Sequence, residues 1–204
     1  ARAMRHGEGS ALRRMGADFA HVLALPWART ILITVFLEGL FLYGPFAFIA
    51  SHLHQHFGLS LSAAGAVVML FGAGGFIFAM GSRRLVGLFG EAGLVRAGGA
   101  LLALALLGLG VAGVWWWALP ACLLTGLGFY MLHNTLQVNA TQMAPERRGA
   151  AVSAFACCFF LGQSVGVGLA GALIGWTGTA WLMAGGALGV LAVALNFARL
   201  RAAR

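Results

Sequence analysis

Six long apolar segments follow one another along this chain of 204 residues, and they constrain its fold more than any other feature. Each segment is about long enough, at 1.5 Å per helical residue, to cross a hydrocarbon core of roughly 30 Å. Because backbone amides find no water in lipid, such segments cross a membrane as helices. The sequence therefore predicts an all-α membrane protein with six transmembrane helices, near residues 30–50, 61–80, 94–114, 117–139, 149–172 and 180–198.

The charge content supports this class and excludes others. Only 9% of the residues are charged and 61% are hydrophobic, with a mean hydropathy of +0.91, whereas a soluble domain carries about 25% charged residues. The net charge of +8 could suggest nucleic acid as a partner, but that needs a basic patch on a soluble face. Here the arginines stand between apolar segments, so the predicted partner is the lipid bilayer and not nucleic acid.

The arginines also predict an orientation. All thirteen basic residues lie before the first apolar segment, around the second and fourth connections, or after the sixth segment. By the positive-inside rule, both ends of this multi-pass segment are expected on the cytoplasmic side of the inner membrane. The predicted domains are a flexible cytoplasmic linker at 1–28 that starts inside a longer polypeptide, a transmembrane domain at 29–199 and a cytoplasmic tail at 200–204. The predicted connections are 51–60, 81–93, 115–116, 140–148 and 173–179.

Polar residues inside the apolar segments mark a candidate pathway. Five of them, at positions 130, 133, 134, 137 and 141, recur on one side of the fourth segment when it is drawn as a helix. A polar stripe in hydrocarbon is costly unless it meets water, a substrate or another polar helix, so it is expected to line a pathway. With the polar residues of the first and fifth segments, the predicted substrate and proton pathway comprises Glu38, Tyr43, Tyr130, His133, Asn134, Gln137 and Gln163.

The order of polar and apolar segments suggests an internal repeat. When the segments are divided into two triplets, the first member of each triplet is the most polar and the third is the least polar. The two triplets also enter the membrane from opposite sides. These features are typical of two inverted three-helix repeats.

Two loop patterns then carry a family resemblance. They are Pro145-Glu146-Arg147-Arg148-Gly149 before the fifth segment, and Gly81-Ser82-Arg83-Arg84 with Phe89-Gly90 after the second. With these loops and the two triplets, essentially the whole chain resembles the C-terminal six-helix half of a major facilitator superfamily transporter. Within that superfamily it is most similar to bacterial drug-proton efflux carriers. The resemblance implies a cavity lined by the first helix of each triplet and shared with a missing N-terminal half, and it places Arg83, Arg84, Glu146, Arg147 and Arg148 in cytoplasmic loops.

One loop departs from the family pattern. Gly87 stands where the family's aspartate belongs, and Glu91 stands where an arginine would follow. This departure argues against a gating charge network at the loop.

Single residues keep more than one interpretation. Glu38 lies roughly 10 Å deep in the first helix, where it could couple transport to a proton or cation, or serve as a purely structural or protonated carboxyl. His133 lies at similar depth, so the two could meet across the cavity; alternatively His133 only bonds a neighbouring helix. His52, His54 and His56 alternate in an outer loop, where alternate side chains point apart, so no metal site is predicted.

The leading functional interpretation is half of a secondary active transporter that moves a small organic molecule by alternating access, with proton-coupled efflux. A metabolite uptake carrier and a non-transporting membrane scaffold or sensor are the alternatives. An enzyme is not predicted, because the sequence has no Ser/His/Asp set, no His-Glu-x-x-His motif and no glycine-rich phosphate loop. No cofactor is predicted either.

Overall fold

Helices account for nearly all of the chain. The computed structural model describes residues 2–203, with side-chain surroundings from residue 13 onward. The prediction of an all-α fold is confirmed. The helices are α1 (Arg2–Ala24), α2 (Pro26–Phe46), α3 (Ile49–Phe57), α4 (Leu61–Val68), α5 (Leu70–Val111), α6 (Ala118–Gln142) and α7 (Arg148–Ala202), with single 3₁₀ turns at Trp115–Trp117 and Pro145–Arg147.

These helices join into long apolar stretches. Within residues 2–203, four stretches have the length and hydropathy needed to cross a membrane, namely Pro26–Phe57, Leu61–Val111, Trp115–Gln142 and Pro145–Ala202. The chain is therefore a multi-pass membrane protein.

Local sequence explains several helix ends. Pro26 occupies the first turn of α2, where its missing N–H costs nothing. Gly58 adopts φ 69° and ends α3, and its N–H donates to the His54 carbonyl. Ser60 caps α4, and its hydroxyl accepts a hydrogen bond of 3.2 Å from the Ala63 amide.

Helix α5 turns back on itself at Gly90. This glycine has φ 62° and ψ 177°, a conformation that L side chains rarely adopt. A straight helix would separate Gly74 from Gly98 by about 36 Å. Both nevertheless pack on one part of α6, because a Cβ at Gly74 would clash with Leu127 and one at Gly98 would clash with Gly128. The two arms of α5, 70–89 and 91–111, therefore run in opposite directions along α6.

Helix α7 turns back in the same way at Gly178, which has φ 74° and ψ 169°. Gly166 on its first arm packs against Leu40 of α2, and Gly186 on its second arm packs against Phe41 of the same helix. A straight helix would hold these two glycines about 30 Å apart. The arms 148–177 and 179–202 therefore both lie along α2.

Three predicted connections are mostly helical. Helix α3 covers most of 51–60, and the helices of 81–93 and 173–179 are interrupted only at Gly90 and Gly178. The prediction of loops there is wrong. Helix α3 continues to Phe57, and at 81–93 and 173–179 a single glycine at positive φ is enough to reverse the helix. Composition rich in Gly, His or Arg gave these stretches the appearance of loops.

The segment predicted as a flexible linker is also helical from Arg2 to Ala24. The C-terminal part of α1 packs against α2 and α7, and Val22 is fully buried in the main core. The C-terminal part of this segment is therefore packed against the bundle and is not a flexible linker.

The arginine-bearing segments lie at one end of the bundle. Arg147 forms an ion pair with Asp18 of α1, and Arg201 near the end of α7 forms one with Glu91, beside the turn at Gly90. We call this the arginine-bearing end. At the opposite end, a second core joins α3, α4, the end of α5, the start of α6 and Met183 of α7.

Candidate functional site

Helix α2 carries an acidic side chain on its buried face. Ile31, Val35, Glu38 and Leu42 recur at helical spacing, and all are fully buried. An ionised carboxylate in such surroundings is costly unless it is paired. The position of Glu38 therefore requires a polar partner.

That partner is His133 of α6. Its Nδ1 lies 2.8 Å from Oε2 of Glu38 across 95 residues of sequence. The other carboxylate oxygen, Oε1, is buried and has no hydrogen-bond partner among the described residues. The His133 side chain is 15% exposed, so the pair reaches the surface of this helical unit on the histidine side. A carboxyl and an imidazole at this distance can exchange a proton and can hold one between them.

Aromatic rings surround the histidine. The ring of His133 lies 4.7 Å from that of Phe129, 4.5 Å from Phe159 and 5.3 Å from Phe155, measured between centroids. Phe129 and Phe155 are buried. Apolar rings keep water away from the pair and strengthen its electrostatic interaction.

Both predicted pathway tyrosines join this aromatic cluster. The ring of Tyr43 meets Phe129 and Phe159 edge to face at 5.9 and 5.6 Å. Tyr130 meets Phe129 at 5.2 Å and is 38% exposed. The structure therefore brings four of the seven predicted pathway residues to one cluster: Glu38, Tyr43, Tyr130 and His133.

The three predicted amides are placed differently. Asn134 and Gln163 are half-buried and Gln137 is exposed. Within the described residues, none of their side chains makes a hydrogen bond to the protein. They are available to water or to a ligand, and within the described residues none of them hydrogen-bonds Glu38 or His133.

The loop residues have separate environments. Arg83, Arg84 and Glu146 are exposed, and Arg147 pairs with Asp18. The Nε–H of Arg148 donates to the Thr141 carbonyl at 3.2 Å and so ties the start of α7 to the end of α6.

A charged cluster forms at Glu91, where the sequence argued against one. Arg201 of α7 donates to Oε2 of Glu91 from Nε at 3.0 Å, and its Nη2 lies 2.9 Å from the same oxygen. Asn139 of α6 also donates to this oxygen at 3.2 Å. The loop pattern missed the cluster because the partners come from other helices. Composition does indicate such pairing, because the chain has thirteen basic residues and only five acids, so most acids are expected to find a basic partner.

The three outer histidines lie on helix α3 and not on a loop. His52 is buried, and its Nδ1 lies 2.5 Å from Oγ1 of Thr179, the first residue after the turn of α7. The ring of His56 lies 4.3 Å from that of His52, one helical turn away. His54 bonds the Leu59 carbonyl instead. Each of the three histidines therefore makes a different contact.

The family match agrees with this geometry. The family model described as Major Facilitator Superfamily matches residues 31–203, from the first buried turns of α2 to the end of α7. Comparison with curated proteins and with solved structures gave no significant match. Because the family model covers most of the chain, including every helix that forms the candidate site, the chain belongs to the Major Facilitator Superfamily, a family of membrane transporters.

Proposed function

We propose that this chain is a six-helix half of a secondary transporter that moves a small organic molecule out of the cell in exchange for protons. The observation that carries the proposal is the buried Glu38–His133 pair, which joins the two most polar helices of the unit. An intramembrane ionisable pair is expensive and is typical of proton pathways.

In this proposal the six spans are α2 with α3, α4 with the first arm of α5, the second arm of α5, α6, and the two arms of α7. They would form two inverted three-helix repeats. Two glycine turns support the symmetry, because each triplet reverses between its second and third members at a glycine of positive φ. Gly90 lies at the arginine-bearing end, and Gly178 precedes Thr179, which contacts α3 at the opposite end.

The close glycine contacts follow the same symmetry. Helix α2, the first member of its triplet, packs against both arms of α7, through Gly162 and Gly186. Helix α6, the first member of the other triplet, packs against both arms of α5, through Gly74 and Gly98. Each first member is thus held between the second and third members of the other triplet, as expected when a two-fold axis relates the triplets.

A second six-helix unit would complete the cavity. The face of α6 that carries Tyr130, Gln137 and Val138 is exposed, although it lies beside the buried pair. We infer that this face lines a cavity shared with another half, and that rocking of the halves changes the exposure of His133. The pair would then take up a proton on one side of the membrane and release it on the other.

The alternatives explain less of this arrangement. An uptake carrier would use the same site but move its substrate into the cell together with protons. It therefore differs from the proposal only in the direction of substrate transport. A scaffold or sensor leaves unexplained the buried Oε1 of Glu38, which has no hydrogen-bond partner among the described residues.

The test is Glu38→Gln in the complete transporter reconstituted in proteoliposomes. The substrate would be a small organic compound found by screening for transport driven by a pH gradient. We expect the variant to lose gradient-driven flux and to keep substrate exchange, because an amide cannot carry a proton through the cycle.

Glu146→Gln is the matched control, because Glu146 is an exposed acid with no described partner. It should retain gradient-driven flux. If Glu38→Gln transports with the pH dependence of the unmodified protein, the proposed role of Glu38 is wrong. Substrate accumulation inside cells instead of extrusion would favour the uptake carrier.

A further inference from the structure

A groove opens on the side of the bundle between α1, α2 and α7. Its cavity volume is about 330 Å³, and its walls carry almost no polar surface. Two of its apolar residues are largely uncovered, since Leu23 is 52% exposed and Ile33 is 60% exposed. Its lining consists of Leu23, Arg29, Leu32, Ile33, Phe36 and Cys158.

The single charged residue of the groove is Arg29, in the first turns of α2 at the arginine-bearing end. It is exposed, and its guanidinium makes no hydrogen bond or ion pair within the described residues. Among the acids with described side chains, Asp18, Glu38 and Glu91 are engaged by other residues. The groove therefore has a positive charge available for an external anion.

The charge and the apolar surface are arranged along one line. Arg29, Ile33 and Phe36 follow each other on one side of α2, and Phe36 lies about 10 Å deeper than Arg29 at helical rise. A ligand that fits must present an anionic group at the end of the helix and an apolar chain along its wall. A phospholipid with a negative headgroup has this geometry in a membrane.

We propose that this groove binds an anionic phospholipid, with its phosphate on Arg29 and an acyl chain along Leu32, Ile33 and Phe36. Arginine pairs with phosphate through two parallel hydrogen bonds, which makes it more selective than a diffuse positive charge. Because Leu23 of α1 and Cys158 of α7 form the other walls, the bound lipid would also hold α1 against the bundle.

The test is native mass spectrometry of the purified protein with equimolar phosphatidylglycerol and phosphatidylcholine of the same acyl chains. The unmodified protein should retain phosphatidylglycerol about fivefold better, the preference expected from one arginine at a membrane surface. Arg29→Gln should remove this preference. Arg83→Gln, which changes an exposed arginine elsewhere at the same end, should keep it.

Two further measurements separate a lipid site from an anion site. Ile33→Trp should lower phosphatidylglycerol retention severalfold by filling the groove, although it leaves Arg29 in place. Inorganic phosphate at millimolar concentration should not displace the lipid. The proposal is wrong if Arg29→Gln keeps the preference for phosphatidylglycerol, or if Arg83→Gln loses that preference equally. It is also wrong if Ile33→Trp retains as much phosphatidylglycerol as the unmodified protein, or if inorganic phosphate displaces the lipid.

Discussion

At the scale of single residues, the Glu38–His133 pair is the most demanding feature of the molecule. Both groups lie within apolar helices, and one carboxylate oxygen has no described partner. Removing one member of a buried pair costs more than replacing both, because a single removal leaves a polar group unpaired. This asymmetry distinguishes a coupled pair from two independent polar residues.

We therefore expect His133→Phe to destabilise the protein by about 1–3 kcal/mol, the cost of leaving a buried polar group unsatisfied. The double variant Glu38→Leu with His133→Phe should recover part of this loss. Thermal unfolding in detergent of the single and double variants measures the coupling. Additive effects of the two substitutions would contradict a direct interaction.

At the scale of helices, glycines determine how closely the elements approach. A Cβ at Gly162 would clash with the Phe36 backbone of α2, and one at Gly126 of α6 would clash with the Phe71 backbone of α5. Apolar side chains gain little by leaving lipid for another helix, so close packing is a main source of stability here.

Gly162→Ala should destabilise the α2–α7 contact by about 1–3 kcal/mol, the usual cost of overpacking. Gly168→Ala is the matched control on the same arm, because nothing lies within 4 Å of its added Cβ. It should be neutral or stabilising by up to about 1 kcal/mol, since alanine favours helix. The measurement is thermal unfolding in one detergent, and equal losses in both variants would contradict the packing argument.

At the scale of the whole molecule, the two ends of the bundle differ in chemistry. The arginine-bearing end holds the Asp18–Arg147 and Glu91–Arg201 ion pairs. The opposite end holds the His52–Thr179 contact and the exposed Trp115, Trp116 and Trp176. This asymmetry predicts the orientation in the membrane by the positive-inside rule.

Single cysteines can test that orientation. In a background where Cys122, Cys157 and Cys158 are replaced by alanine, cysteines at His54, Trp116 and Thr177 should react with an impermeant thiol reagent added outside intact cells. Cysteines at Ser10, Gly87 and Ala203 should react only after the membrane is opened. Except for Ser10, whose side chain lies outside the described residues, all these positions are exposed. The reverse labelling pattern would overturn the proposed topology.

The sequence alone was enough to establish the helical membrane class. It also singled out seven polar residues, four of which the structure brings to one cluster. Segments of about 20 apolar residues have few alternatives to a membrane helix, because lipid leaves backbone amides no other partner. The 3.6-residue period then placed Tyr130, His133 and Gln137 on one side of α6 before any contact was known.

Only the tertiary structure decided which residues meet. Which of the 31 glycines reverse a helix could not be read from composition. In the structure, Gly90 and Gly178 adopt positive φ and form the turns of α5 and α7. The pairing of Glu38 with His133, and of Glu91 with Arg201, joins residues 95 and 110 positions apart. Local periodicity specifies a helix face but not the neighbour that it contacts, because that neighbour is chosen by the fit of whole helices.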